Sequence, residues 1–206
     1  TRPGMLHAAM LQSPHAHARI RGYDTSGALA MPGVRAVVTG DDFADANRMG
    51  AFIKDEHALA KGKVRYVGEP VAAVAAETEA IARAAAQAIR VDYEELPALL
   101  SPEQALASPV HIHEQTGQYY KVFDAGGAGN LCSRTELSEG DTEQGFRESD
   151  LVFEHHFDTQ AQAHVALEPC GALAEVDAQG RITLWSANQS VFRVQACVAE
   201  ALGLPH

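Results

Sequence analysis

"KVRYVGEPVAAVAAETEAIARAAAQAIRVDYEELP", residues 63–97, decides how the first half of the chain folds. Gly68-Glu69-Pro70 separates an edge-like piece from the run Val71 to Ala76, which is apolar throughout, as a buried strand requires. Ile81, Ala84, Ala85, Ala88 and Ile89 then recur at helical spacing and predict a helix with those five on its apolar face. Thr78 is placed to cap its start, Glu79 suits the positive end of its dipole, and Arg90 suits the negative end. "IRVDYEEL" returns to strand character and Pro97 ends it. The stretch reads as a β-α-β unit.

Upstream, "GMLHAAML" and "AHARIRGY" are strand candidates flanking the turn "QSPH", and "VRAVVTG" is another. Downstream, "SPEQALA" gives a short helix candidate, and residues 98 to about 149 then lose periodicity and gain Gly, Ser and polar residues. So long a connection predicts a linker over residues 101–149, between a domain at 1–100 and another beginning at 150. From Asp150 the alternation of "DLVFEHHFDTQ" predicts a strand, and "GALAEVD" and "RITLWSA" predict a hairpin around Ala178-Gln179-Gly180. A final helix carries Val191, Val194, Val198, Ala201 and Leu202, with Gly203 and Pro205 as its stop. The fold class is therefore α+β.

The 206 residues are 46% hydrophobic and 21% charged, an ordinary globular composition. With 16 basic against 27 acidic residues the net charge is −11, which disfavours nucleic acid and anionic membrane surfaces as partners. The longest apolar run falls far short of the ~20 residues needed to span a bilayer. Cys132, Cys170 and Cys197 form no C-x-x-C pair; an odd, sparse set points to reduced thiols and a cytoplasmic location. The opening "TRPGMLHAAML" has no initiator Met and no signal-peptide pattern, which suggests a piece of a longer polypeptide.

Several constellations invite chemistry. His15/His17 and His111/His113 would each share a strand face, but neither has Cys or carboxylate neighbours at zinc-like spacing, so both read as polar strand faces. His164 and Glu168 at i, i+4 make half a metal site without H-E-x-x-H. "DAGGAGN" lacks the preceding strand and Lys-Ser/Thr of a phosphate loop and reads as linker slack; no G-x-S-x-G marks an activated serine. "LWSANQSVFRVQ", residues 184–195, is more informative. Ser190 is placed as an N-cap, and Gln189 sits where a helix N-terminus favours an anionic or oxo ligand and a neutral amide can donate to it. The residues alone leave a second reading open, in which Asn188 and Gln189 only satisfy the strand-to-helix turn.

Larger stretches carry a resemblance. "GMLHAAMLQSPHAHARI", "KVRYVGEPVAAVAAET" and "VDYEELPALLSPEQAL" resemble the N-terminal α/β-hammerhead domain of xanthine dehydrogenase and aldehyde oxidase large subunits. "SDLVFEHHFDTQAQAHVALEPCGALAEVD" with "ITLWSANQSVFRVQACVAEALGLP" is similar to the opening of their molybdopterin-binding domain, here partial and mixed α/β. The resemblance implies a molybdenum hydroxylase, oxidising an aldehyde or an N-heteroaromatic C–H with water as the oxygen source. It implies molybdopterin, in bacteria usually the cytosine dinucleotide, with no protein side chain on the metal. It also implies [2Fe-2S] clusters and FAD on an iron–sulfur subunit and an FAD subunit, a small-molecule substrate, and an oligomer of heterotrimers.

The family's amide donor to a molybdenum oxo ligand falls on Gln189. The family's glycine-rich pterin-contacting segment is expected about thirty residues after Gln189, and its catalytic Glu beyond residue 206. Neither Glu168 nor Glu200 matches the context of that Glu. This portion by itself is thus expected neither to hold the cofactor nor to turn over. The competing reading is a cofactor-free hammerhead module that docks iron–sulfur or flavin partners.

Overall fold

A computed structural model describes residues 2–50, 53–114 and 128–205. The chain divides into two units: Thr1–Arg134 with Phe192–His206, and Thr135–Val191.

In the first unit, β1 (His7–Gln12), β2 (Ala18–Asp24), α1 (Ser26–Leu29), β3 (Val34–Thr39), β4 (Lys63–Val64), β5 (Pro70–Ala76), α2 (Glu79–Ala88), β6 (Arg90–Glu95) and α3 (Pro102–Ala107) follow in order. They form two antiparallel sheets with strand orders β1-β5-β3 and β4-β2-β6. The expected β-α-β unit is corrected in its pairing, because β5 and β6 belong to different sheets. Each finds a ladder partner far away in sequence, and local pattern does not carry that choice.

Alternation along β5 explains how one strand serves two cores. Ala72 and Val74 point into a cluster with Ala28, Ala85, Ala86 and Ile89, while Val71 points oppositely into a cluster with Ala18, Ile20, Ala60 and Val64. Leu11 and Val91 pack against both clusters.

The Thr78 hydroxyl caps α2 by accepting from the Ile81 N–H. The buried face of α2 is Ala82, Ala85 and Ala86, continued by Ile89, while Ala84 is exposed. The face is rotated from expectation because alanine fills both sides of this helix and gives little contrast; Arg83 and Gln87 mark the wet side. Arg90 begins β6 and so does not serve the last helical turn.

In the second unit, α4 (Thr142–Glu148) precedes the hairpin of β7 (Ala172–Val176) and β8 (Ile182–Ser186). Asp177 closes that hairpin, its carboxylate accepting from the Gln179 and Arg181 N–H groups. The strand expected at "DLVFEHHFDTQ" does not form. Alternation alone gives a strand no ladder, and Leu151, Phe153 and Phe157 are 74%, 75% and 86% exposed.

The last helix, α5 (Val191–Leu202), ends in a Schellman turn. The Leu204 N–H donates to Ala199 O at 2.8 Å and the Gly203 N–H to Glu200 O at 3.1 Å, with Gly203 at φ +64°. Of the apolar positions expected to face inward, Val191 and Leu202 are exposed and Ala201 is buried; Ala199, which was not among them, is buried as well.

Candidate functional site

The turn between β8 and α5 separates its two amides by role. Asn188 is consumed by the backbone: its Nδ2 donates to Ser186 O at 3.1 Å and Ser186 Oγ at 2.8 Å, and its Oδ1 accepts from the Ser190 N–H at 3.0 Å. This is an Asx-type turn, which fixes the handover from strand to helix without any help from the next residue. Gln189 is exposed, and among the described residues its carboxamide has no hydrogen-bond partner. Each of residues 187–191 is exposed.

The other sequence candidates disperse. His15 and His17 lie outside the strands, because the Ser13 turn is tied to the Gly-Glu-Pro break by Ser13 N–H to Glu69 O at 2.9 Å and Gly68 N–H to Ser13 O at 2.8 Å. His17 is buried and its Nδ1 lies 2.7 Å from Pro97 O, clipping the end of β6 to the start of β2. His111 and His113 also sit in a loop, corrected from the expected strand face. His164 and Glu168 are exposed, and no group of three or more metal-type ligands forms among the described residues. Of "DAGGAGN", residues 124–127 lie outside the described residues, while Asn130 is firmly held. Its Nδ2 donates to Ala105 O and Val110 O at 2.9 and 2.8 Å, and its Oδ1 accepts from the Ile112 N–H. Cys132, Cys170 and Cys197 are free thiols.

A small polar hollow of about 90 Å³ in the first unit was not foreseen; its lining includes Asp55, Glu56, His57, Arg65, Glu69 and His113. Burial raises the Glu69 carboxyl above its usual range, and burial with the nearby Asp55 charge raises that of Glu56. Burial lowers both His57 and His113. Arg65 donates from its backbone N–H to Glu69 Oε2 at 2.5 Å, and His113 Nδ1 stands 3.6 Å from Asp55. Five of these groups lie within residues 55–69 and only His113 comes from a distant segment, but their spacing matches no recognised motif.

The hammerhead-domain model of aldehyde oxidase and xanthine dehydrogenase matches residues 1–97, and the molybdopterin cofactor-binding domain model matches residues 123–206. The chain belongs to the aldehyde oxidase and xanthine dehydrogenase family. Within that family it is 38% identical, over 204 residues, to a probable xanthine dehydrogenase subunit of Bacillus subtilis strain 168, covering 98% of this chain and 26% of that protein. It is 34% identical over 206 residues to the nicotinate dehydrogenase large molybdopterin subunit of Eubacterium barkeri, covering 99% and 45%. The quinoline 2-oxidoreductase structure from Pseudomonas putida 86 aligns with a TM-score of 0.83 at 34% identity, covering 100% of this chain and 26% of that one. The chain thus spans between about a quarter and a half of the length of these relatives.

The molybdopterin group of this family can be tested against the residues present. A neutral amide left over after its neighbour has closed the turn, exposed beside the start of a twelve-residue helix, is a donor set suited to an oxygen-rich anionic group.

Proposed function

We propose that this chain supplies the hammerhead domain, residues 1–100, and the opening of the molybdopterin-binding domain, residues 150–206, of a molybdenum hydroxylase large subunit, with residues 101–149 linking them. When bound, the cofactor supplies the two-electron oxidation of an aldehyde or N-heteroaromatic C–H bond, with water as the oxygen source. The Gln189 carboxamide donates its N–H toward the cofactor, and Asn188 holds the turn so that this donor is preset before substrate arrives. Being neutral, Gln189 adds no charge that would have to be desolvated in a closed pocket.

One observation carries this reading: Asn188 satisfies the turn alone and leaves Gln189 exposed and unpartnered among the described residues. The relatives named for xanthine, nicotinate and quinoline support electron-poor heterocycles as substrates, and a relative named aldehyde oxidoreductase supports aldehydes. The subunit names among them, with the copper–molybdenum CO dehydrogenase structure as a further neighbour, support assembly with partner subunits. We assign [2Fe-2S] clusters and FAD to those partners, the cytosine dinucleotide form to the cofactor, and an oligomer of heterotrimers to the whole. Free thiols support a reducing, cytoplasmic setting, and no described helix is long and apolar enough to cross a membrane.

The test is Gln189→Ala in the full-length subunit. Turnover is expected to fall by about 10²–10³, with molybdenum content and thermal midpoint unchanged. Unaltered turnover would remove Gln189 as a donor to the cofactor, whereas a full-length wild-type subunit with neither molybdenum nor turnover would make the cofactor-free docking module the better reading.

A further inference from the structure

Residues 55–70 make the walls of the polar hollow, and His113 closes it from a distant part of the sequence. His113 belongs to the stretch 108–114 that follows α3. Local bonds give that stretch its form. Asn130 Nδ2 donates to Ala105 O and Val110 O, its Oδ1 accepts from the Ile112 N–H at 2.9 Å, and Ser108 Oγ accepts from the Val110 N–H at 3.0 Å. Gly129, at φ +59°, allows the close approach of the chain: a Cβ there would stand 3.2 Å from the His111 ring. These bonds join the stretch to itself and to residues 105 and 130, so they shape it without fixing it over the hollow.

The polar contacts that seat it are charged ones. Lys63 of β4, its side chain only 8% exposed, donates from Nζ to His111 O at 3.3 Å and pairs with Glu114 at 3.3 Å. His113 Nδ1 stands 3.6 Å from Asp55 Oδ2, beyond hydrogen-bond reach but within ion-pair distance. A neutral imidazole sits there at little cost. An imidazolium would meet one carboxylate and three cations, so burial first and the Arg65 charge second hold His113 below its ordinary 6.5, with Lys63 and Arg48 adding and Asp55 opposing. The other titratable groups around the hollow divide. Burial lowers His57 and raises Glu56 and Glu69, while Lys61 and Tyr66 complete the wall.

We propose that residues 108–114 are a strap across the hollow, seated while His113 is neutral and released when His113 takes up a proton. Released, the imidazole regains water and its ordinary 6.5; seated, it lies lower. The seated form therefore binds fewer protons, and acid draws the equilibrium toward release as pH falls from 6.5 to the seated value. One pH unit below 6.5, that shift amounts to up to about tenfold in the seating equilibrium. His57 works in the same sense. Glu56 and Glu69, raised by burial in the closed hollow, oppose it. Release uncovers Lys63 and opens the hollow, which gives the hammerhead domain an acid-sensitive surface. Nothing in this device depends on Gln189.

The experiment follows amide exchange at residues 110–114 in the full-length subunit between about pH 7.5 and pH 5.5, corrected for the intrinsic exchange rate at each pH. Residues 72–76 of β5 report whether the fold stays intact. In the parent, protection at 110–114 is expected to fall by up to about tenfold on acidification while 72–76 keep theirs. His113→Gln should lose most of that pH dependence. Asp55→Asn should keep it in full or steepen it, because the one opposing carboxylate is gone and the seated value drops further. A strap held by a His113–Asp55 ion pair would behave in the reverse way: acid would tighten it, and Asp55→Asn would make it indifferent to pH. That pattern would overturn the proposal. So would parent protection that does not change with pH, or release in His113→Gln as strong as in the parent. Equal loss of protection at 72–76 would mean general acid unfolding and would overturn it as well.

Discussion

Residues 7–95 and residues 135–191 are built from similar materials with opposite results. In the first stretch, Val64, Val71 and Val74 are sealed, and small alanines of α2 let helix and sheet approach closely. In the second, Phe153, Phe157 and Leu167 are 75%, 86% and 102% exposed, and the β7–β8 hairpin has no third strand among the described residues. An isolated two-stranded hairpin is marginal in water. Hydrophobic content therefore does not decide which region is self-supporting. What decides it is whether the apolar residues have a facing layer within the same stretch of chain.

Mutations can break or sharpen that contrast. The largest effect is expected from Val74→Asp, which places an unpaired carboxylate at a site 1% exposed. A loss above about 4 kcal/mol, read by urea unfolding, should abolish folding of the first unit. Next comes Thr78→Ala, which removes the cap of α2 and should cost about 1 kcal/mol in the same assay.

A pH effect should localise to the hollow beneath the Gly-Glu-Pro break. Burial, with the Arg48 charge as the second cause, lowers His57 below its ordinary value of 6.5, so the unfolded imidazole binds protons more readily than the folded one. Its contribution to stability is present above 6.5 and is lost as pH falls through the lower folded value. Glu69, whose pKa is raised, works in the opposite sense and loses its contribution as pH rises. His57→Gln should thus lose less stability than the parent between about pH 7.5 and pH 5.5, measured as the difference in unfolding midpoints. The smallest effect belongs to the second region. Phe157→Ala should change stability by less than about 0.5 kcal/mol, and a loss several times larger would mean that this region has a facing layer after all.

The strands and the long helix of the first hundred residues were legible because turns and caps are local chemistry, whereas the single turn of α1 at Ser26–Leu29 was not. Thr78 and the Gly-Glu-Pro break mark boundaries that depend on nothing distant. Pairing was not legible, since β5 with β1 and β2 with β6 are matched across dozens of residues. The alternation at 151–157 misled because its pattern is that of a strand, whereas a strand exists only with a partner. At the site, two adjacent amides were visible, and the structure assigns the turn to Asn188. The groups that hold the C-terminal end of α5, Asn47 and Lys54, could not have been found, because their partners Ala201 and Glu200 lie 154 and 146 residues away.

Leu11 and Val91 touch both buried clusters. They act as pins through two stacked plates, so heat that loosens one plate frees the other. The hammerhead region should therefore melt as one cooperative block with coincident calorimetric and spectroscopic transitions, and cutting both pins to alanine should broaden that single peak.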